Sequence, residues 1–464
     1  MKKFLRCRGR ENSMETSNVK QPMFTNKALV SLAVPIVIES VLAIITGIAD
    51  STMVSSAGEA AVSGISLVDQ LFILLVMVFS AIASGGVVVT AQYIGNQDFK
   101  NARTSARQLL YATTAMALVI TLSVVGLIPQ VLGLIYGELE PEVFENAKVY
   151  FFYAILGMPF LAVASSCTAL LRTMSHSKLA LLLALGANIL NVAGNAILIY
   201  GFGLGAAGAA IATTVSRIVW AIIALIILHN RNLPVYFDNL LKFRMDWDVM
   251  GRVMKIGFAN GLESGLFQVG KLLVARLVST FGTVFIAANY VANTLCNIGW
   301  TIVGSLGTVL LTVVGQCVGA REPEQARAYT KKFLILSHMM VVTLFGIVFL
   351  LRHQLVRLFD FGPEALDVCA YFTGVGAIFT ICAFYGSAFV PVAAFRSAGD
   401  VRYAVILAVG SMFTFRVGLS YLLNHLFEMG LLSVWIGMWA DWFCRAILNT
   451  IHFRRGKWVH KRLI

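Results

Sequence analysis

Charge is scarce in this 464-residue sequence: Asp, Glu, Lys and Arg make up 13% of it, about half the usual share of a soluble domain. That shortage, with 58% hydrophobic residues and a mean hydropathy of +0.80, excludes an ordinary water-soluble fold. Alternating polarity is absent as well, so the apolar segments cannot be the strands of a membrane barrel. The seven cysteines form no CxxC pair, and neither a disulfide framework nor a metal site is expected. The seven histidines are scattered, six of them in loops or near helix ends. No nucleophile–base or metal constellation emerges, which argues against a membrane-embedded enzyme. The Gly201–Gly205 run follows a helical stretch rather than a strand, so it is no dinucleotide loop, and no cofactor is expected. Residues 1–23 lack an apolar core and do not read as a cleaved signal peptide.

What the sequence has is apolar runs of helix-spanning length. Without water, backbone polar groups must bond within their own segment, so such runs cross a bilayer as helices of about 20 residues. Twelve are predicted, near 28–53, 62–94, 106–128, 144–171, 179–200, 205–228, 252–279, 284–318, 332–351, 366–392, 402–424 and 430–453. With an even number of spans, both termini lie on one side. The segments on that side hold 28 of the 36 lysines and arginines, so by the positive-inside rule both termini are cytoplasmic. The net charge of +13 is therefore topogenic, and no nucleic-acid partner is implied. The partner is the bilayer.

The sequence also matches itself at a shift of 224 residues. Glu39-Ser40 falls on Glu263-Ser264, Gly58 on Gly282, Gln92 and Gly95 on Gln316 and Gly319, Arg172 on Arg396, and Gly194 on Gly418. One offset held over about 155 residues marks a duplicated unit. The expected fold is all-α and integral to the membrane, with twelve transmembrane helices in two six-helix pseudo-symmetric lobes. The boundaries are a cytoplasmic arm 1–27, an N-lobe 28–228, a polar linker 229–251, a C-lobe 252–453 and a basic tail 454–464. Copies in the same orientation follow the parallel-repeat plan of transporters, with a site between the halves.

Ionisable residues within the spans mark that site, because each costs roughly 2.5–3.5 kcal/mol to insert. The first span carries Glu39 and Asp50, three turns apart on one face, with Pro35 one turn before Glu39 to favour a kink. The fifth carries Asn191 and Asn195, four apart, whose amide oxygens facing a carboxylate suit a proton relay or a small cation. Bonds to neighbouring helices are an equally good use of them. The second half offers Glu263, Gln268 and Lys271, then Arg416, then Asp441 and Arg445. Here a structural ion-pair network is favoured, Asp441 pairing with Arg445 at i,i+4 and Glu263 neutralised by Lys271 or Arg416. Asp50 has no acidic counterpart, since its shifted position is Val274. One coupling site, in the first half, is the expectation.

These pieces resemble the multidrug and toxic compound extrusion (MATE) family over residues 25–455. The telling segments are PIVIESVLAIITGIAD with its Pro35-to-Asp50 spacing, MVSSAGEAAVSG, AQYIGNQDFKNAR with its echo GQCVGAREPEQAR, and NILNVAGNAILIYGFGLGAAGAAIAT. GLESGLFQVGKLLVARLVSTFGTVFIAAN looks like a clostridial-type subgroup, which implies a bacterial cytoplasmic membrane. The resemblance implies two lobes around a cleft and efflux driven by inward flow of a proton or Na⁺. It places Asp50 as the N-lobe cation carboxylate, Asn191 and Asn195 as its partners, and Thr213 as a further member. Substrates would be small, amphiphilic and often cationic, drawn by Glu39 and Glu263 where these face the cleft, and the protein would act as a monomer. The branch with acids on its seventh and tenth helices is matched poorly: Gln268 lies near the first of them and the tenth span has no mid-membrane acid. The rival within the superfamily is a flippase for a lipid-linked precursor, with Lys271 and Arg416 as the only basic residues for a phosphate.

Overall fold

A computed structural model describes residues 21–238, 244–359, 361–461 and 463–464, and is helical throughout its regular parts, with no strand among the described residues. Residues 1–20 of the expected arm, with Cys7, and residues 239–243 of the expected linker lie outside the described residues.

The first lobe comprises α1 (Asn26–Ser55), α2 (Glu59–Gly95), α3 (Phe99–Val125), the short α4 (Ile128–Tyr136), α5 (Pro141–Leu156), α6 (Met158–Thr173), α7 (Ser177–Asn195) and α8 (Gly205–Leu228). The second comprises α9 (Trp247–Ser279), α10 (Thr283–Gly319), α11 (Pro323–Leu350), the short α12 (Arg352–Val356), α13 (Pro363–Cys382), α14 (Tyr385–Ser397), α15 (Val401–Ser411), α16 (Ser420–Phe427) and α17 (Leu431–Arg455). Helix starts follow local chemistry. Thr25, Asp98 and Asp246 each accept a hydrogen bond from a backbone N–H in the first turn they precede. The second helix of each lobe is preceded by a glycine at positive φ, Gly58 at 104° and Gly282 at 93°, backbone space that only glycine enters freely.

Among the described residues, ten helices are long and apolar enough to cross a membrane, and the α5–α6 pair together makes an eleventh. Helix α9 completes the twelve; its length of 33 residues suffices, and its charges, among them Glu263, Lys271 and Arg276, keep its hydropathy low. The twelve-helix, two-lobe layout fits. Two predicted spans are broken rather than continuous. The span 144–171 bends by 46° between α5 and α6, where Gly157 precedes Pro159, which lacks the N–H to continue the ladder. The span 366–392 breaks at Phe384, which sits left-handed at φ 52° between α13 and α14. Helix α1 runs unbroken through Pro35. Two spans widen into π-helical turns, Ala196–Gly201 after α7 and Met412–Leu419 between α15 and α16, a geometry common at functional sites.

The lobes are joined crosswise: α1 packs on α10, and its repeat equivalent α9 packs on α2. Contact between α2 and α10 concentrates at their C-terminal ends, the end that carries both termini. A Cβ on Gly95 would lie 2.0 Å from the Gln316 carbonyl oxygen, and one on Gly319 would lie 2.0 Å from that of Gln92. The Gln92 amide donates to Ser397 O across the lobes at 2.6 Å, and the Gln316 amide donates to Thr173 O at 2.7 Å. Both bonds are buried, and each is the other shifted by the repeat. The GxxxG pair Gly315/Gly319 thus serves close helix contact. Towards the opposite end the lobes separate around cavities.

Candidate functional site

Asp50 lies in the last two turns of α1, half-buried, against α7 and α8. The Asn195 side-chain amide donates to Asp50 Oδ1 at 2.8 Å. With the Asn191 carboxamide turned so that its nitrogen faces the acid, it donates to both Asp50 oxygens at 2.9 and 3.2 Å while its oxygen accepts from the Thr213 hydroxyl at 3.0 Å. The i,i+4 spacing of the asparagines brings both onto the acid, and both are buried, at 6% and 1% exposure. Asp50, Asn191, Asn195 and Thr213, expected to meet, are in one cluster. Among the described residues no Lys or Arg pairs with Asp50, so its charge is balanced only by dipoles. The Asn195 oxygen is buried without a partner, an unused acceptor beside the carboxylate.

A second acid, not among the residues expected from the sequence, stands nearby. Asp69 on α2 accepts from the Tyr150 hydroxyl at 3.0 Å and shares a cavity of about 790 Å³ with Arg217 and with Gly47, one turn before Asp50. The signal was available: Asp69 is a lone carboxylate early in the predicted span 62–94, and its shifted position is Asn293.

Glu39 and Glu263 do face cavities, but neither is a free acid. Glu39 is ion-paired with Arg172 of α6, and Glu263 with Arg396 of α14 at 2.6 Å. The expected neutralisation of Glu263 by Lys271 or Arg416 is therefore corrected. Lys271 lies two turns further along α9, whereas Arg396 reaches Glu263 from the last turn of α14, the second half of the broken span. Both halves of each pair obey the same 224-residue shift, so the duplication preserved the bridge. The Glu39–Arg172 pair lines a cavity of about 340 Å³, the Glu263–Arg396 pair one of about 380 Å³, and Ser84, Thr308 and Leu311 border both. Asp441 and Arg445 pair at 2.8 Å, fully buried at the acid. Gln268 keeps its carbonyl oxygen buried and unpartnered. No group of three His, Cys, Asp or Glu residues that could hold a metal exists among the described residues.

Two pseudo-symmetric six-helix lobes, in close contact at one end and bordering shared cavities beyond it, with carboxylates held within the spans, follow the plan of a membrane transporter. The chain belongs to the MatE family, whose model matches residues 35–197 and 257–422, one segment in each lobe. It is 26% identical over 444 residues to a probable multidrug resistance protein NorM of Thermotoga maritima, covering 94% of each chain. It is 26% identical over 456 residues to the uncharacterized transporter YisQ of Bacillus subtilis, covering 96% of this chain and 98% of that one. In fold it superposes with a TM-score of 0.85, at 20% identity, on a multidrug resistance MATE transporter of the MOP superfamily solved in an outward-facing conformation, covering 92% of this chain and 95% of the other.

Proposed function

We propose that the protein exports small amphiphilic molecules by antiport, driven by inward movement of a proton or Na⁺ that binds at Asp50. The observation that carries this reading is the Asp50–Asn191–Asn195–Thr213 cluster, an acid in low-dielectric surroundings with no cationic partner. Such a carboxylate is driven to take up a proton or a small cation. Either ion would meet the unpartnered Asn195 oxygen and the Thr213 hydroxyl once the amides turn. The ion's arrival rewrites the bonds that hold α1 to α7, and Pro35, which leaves one α1 carbonyl without its intrahelical donor, is the point about which the helix gives.

The basic segments put the sealed end, with both termini, in the cytoplasm, so the cavities open outward. Binding of the ion from outside then weakens the hold on substrate and releases it. One charge moving down 100 mV supplies about 2.3 kcal/mol, enough for roughly a fiftyfold substrate gradient. One chain contains both halves of the cleft, so a monomer suffices. Substrate chemistry is set by the cavities rather than by Glu39 and Glu263, whose pairing with arginine leaves them no net charge to attract cations.

The test is substrate uptake into inside-out vesicles energised separately by proton and sodium gradients. Wild-type protein takes up substrate under one of them, and Asp50→Asn takes up none while still binding it. Transport by Asp50→Asn at the wild-type rate overturns the coupling role.

A further inference from the structure

In the cavities nearest their far ends the two lobes carry charge of opposite sign. In the first lobe the ionisable residues there are Asp50 and Asp69 with Arg217. In the second, Lys271 of α9 and Arg416 of the π-helical turn line one cavity of about 530 Å³ and an adjoining one of about 410 Å³. Arg445 lies over the Phe267 and Phe389 rings that line the larger cavity, and it is bonded to both oxygens of Asp441. No Asp or Glu lines either cavity among the described residues. The 224-residue shift makes the exchange plain: Lys271 and Arg416 replace Gly47 and Val192, while Val274 and Asn293 stand where the first lobe has Asp50 and Asp69.

The positive charge is held beside aromatic surface. The Phe267 ring has Lys271 Nζ at 5.6 Å, the Arg416 guanidinium at 5.4 Å and the Arg445 guanidinium at 5.8 Å from its centre. Cations gathered on a ring face gain some stabilisation, and among the described residues neither Lys271 nor Arg416 is bonded to a carboxylate, Asp441 being taken by Arg445. Arg416 is 9% exposed, and among the described residues its Nη2 donates to the weak acceptor Met438 Sδ alone, at 2.9 Å. In the same cavity, Trp300, Tyr385 and Trp442 pack against one another with centroids 5.2–6.3 Å apart and form an aromatic wall.

From this we infer that the second-lobe cavity is a binding site for an aromatic or amphiphilic organic anion, its carboxylate, sulfonate or phosphate held by Lys271 and Arg416 and its apolar body laid against the Trp300–Tyr385–Trp442 wall. The cavity is of the size that takes a drug-sized ligand, and an entering anion supplies the charge the protein withholds. An organic cation would be repelled there. The site goes beyond the antiport reading and does not depend on which ion drives the cycle.

Titration calorimetry of the purified full chain with 1-naphthoate and its near-isosteric cation 1-naphthylmethylammonium tests this. Wild-type protein binds the anion at least about tenfold more tightly than the cation, the scale of one charge-assisted contact. Lys271→Gln weakens the anion about tenfold, and Lys271→Glu reverses the preference. Because Lys271 is exposed to the cavity, both variants keep the fold, and a gel-filtration profile like that of the wild type verifies it. Equal binding of the two probes by the wild type, or a Lys271→Glu protein with unchanged naphthoate affinity, overturns the inference. Repeating the titration in nanodiscs separates the two sources of such an anion. Naphthoate binding equal in phosphatidylcholine and phosphatidylglycerol discs supports a free organic anion as occupant. Binding weakened by phosphatidylglycerol in the wild type but not in Lys271→Gln supports a lipid headgroup in the same site. Equilibrium binding needs no gradient, so failure of gradient-driven export with naphthoate binding intact defeats the antiport reading alone.

Discussion

Replacing Gly319 with alanine tests how the lobes are sealed. The new Cβ would stand 2.0 Å from the Gln92 carbonyl oxygen, where ordinary contact begins near 3.4 Å, so α2 and α10 must part by about 1.4 Å. The obstacle is backbone, not a side chain that can swing aside. The two interlobe bonds at this level, Gln92 to Ser397 at 2.6 Å and Gln316 to Thr173 at 2.7 Å, are then stretched to about 4 Å, beyond hydrogen-bonding range. Leaving a buried amide unsatisfied costs about 1–3 kcal/mol, so two of them disfavour the sealed state by roughly 2–6 kcal/mol, a shift of about thirtyfold or more in population. Spin labels on Lys100 and Glu324, exposed repeat equivalents at the sealed end, report it by pulsed electron resonance once Cys7, Cys382 and Cys444 are removed. The expected result is a second, longer distance in Gly319→Ala and, by symmetry, in Gly95→Ala. A distance distribution identical to that of the parent refutes the claim that these glycines permit the seal.

Two further substitutions probe what holds the lobes themselves. Glu39→Gln strands the Arg172 guanidinium, about one-fifth exposed, and should lower stability by about 2 kcal/mol; the double variant Glu39→Gln/Arg172→Gln should recover part of that loss in thermal unfolding, and a double variant worse than the sum of its singles contradicts the pairing. The Tyr329 hydroxyl accepts from Phe24 N at 2.9 Å and donates to Phe24 O at 3.0 Å, fixing the start of α1 to the second lobe. Tyr329→Phe should cost about 1–3 kcal/mol and speed proteolysis before residue 26, and unchanged cleavage speaks against that anchor.

The class of fold was legible because membrane insertion leaves its mark directly in composition. Apolar length, the side on which basic residues collect and a repeat held at one offset are all properties of the chain read in order. The Asp50 cluster was half legible: i,i+4 spacing put Asn191 and Asn195 on one face whatever the neighbours, and the family resemblance supplied Thr213. The partner of Glu263 was misread although both Glu–Arg pairs stood in the repeat, because sequence order does not say that the end of a broken span returns to the first helix of its lobe. Asp69 was passed over because its meaning comes from the cavity it shares with Arg217.

Alone, the sequence determined how many times the chain crosses the bilayer, that its halves are copies, and which charges are confined within the spans, since the cost of burial depends only on residue type and segment. Tertiary structure decided which charges cancel. Whether a buried acid or base is a neutral strut or an unbalanced charge depends on contacts a few ångströms long between helices distant in sequence. Those contacts neutralise Glu39 and Glu263, while among the described residues Asp50 in one lobe, and Lys271 and Arg416 in the other, have no ion-pair partner.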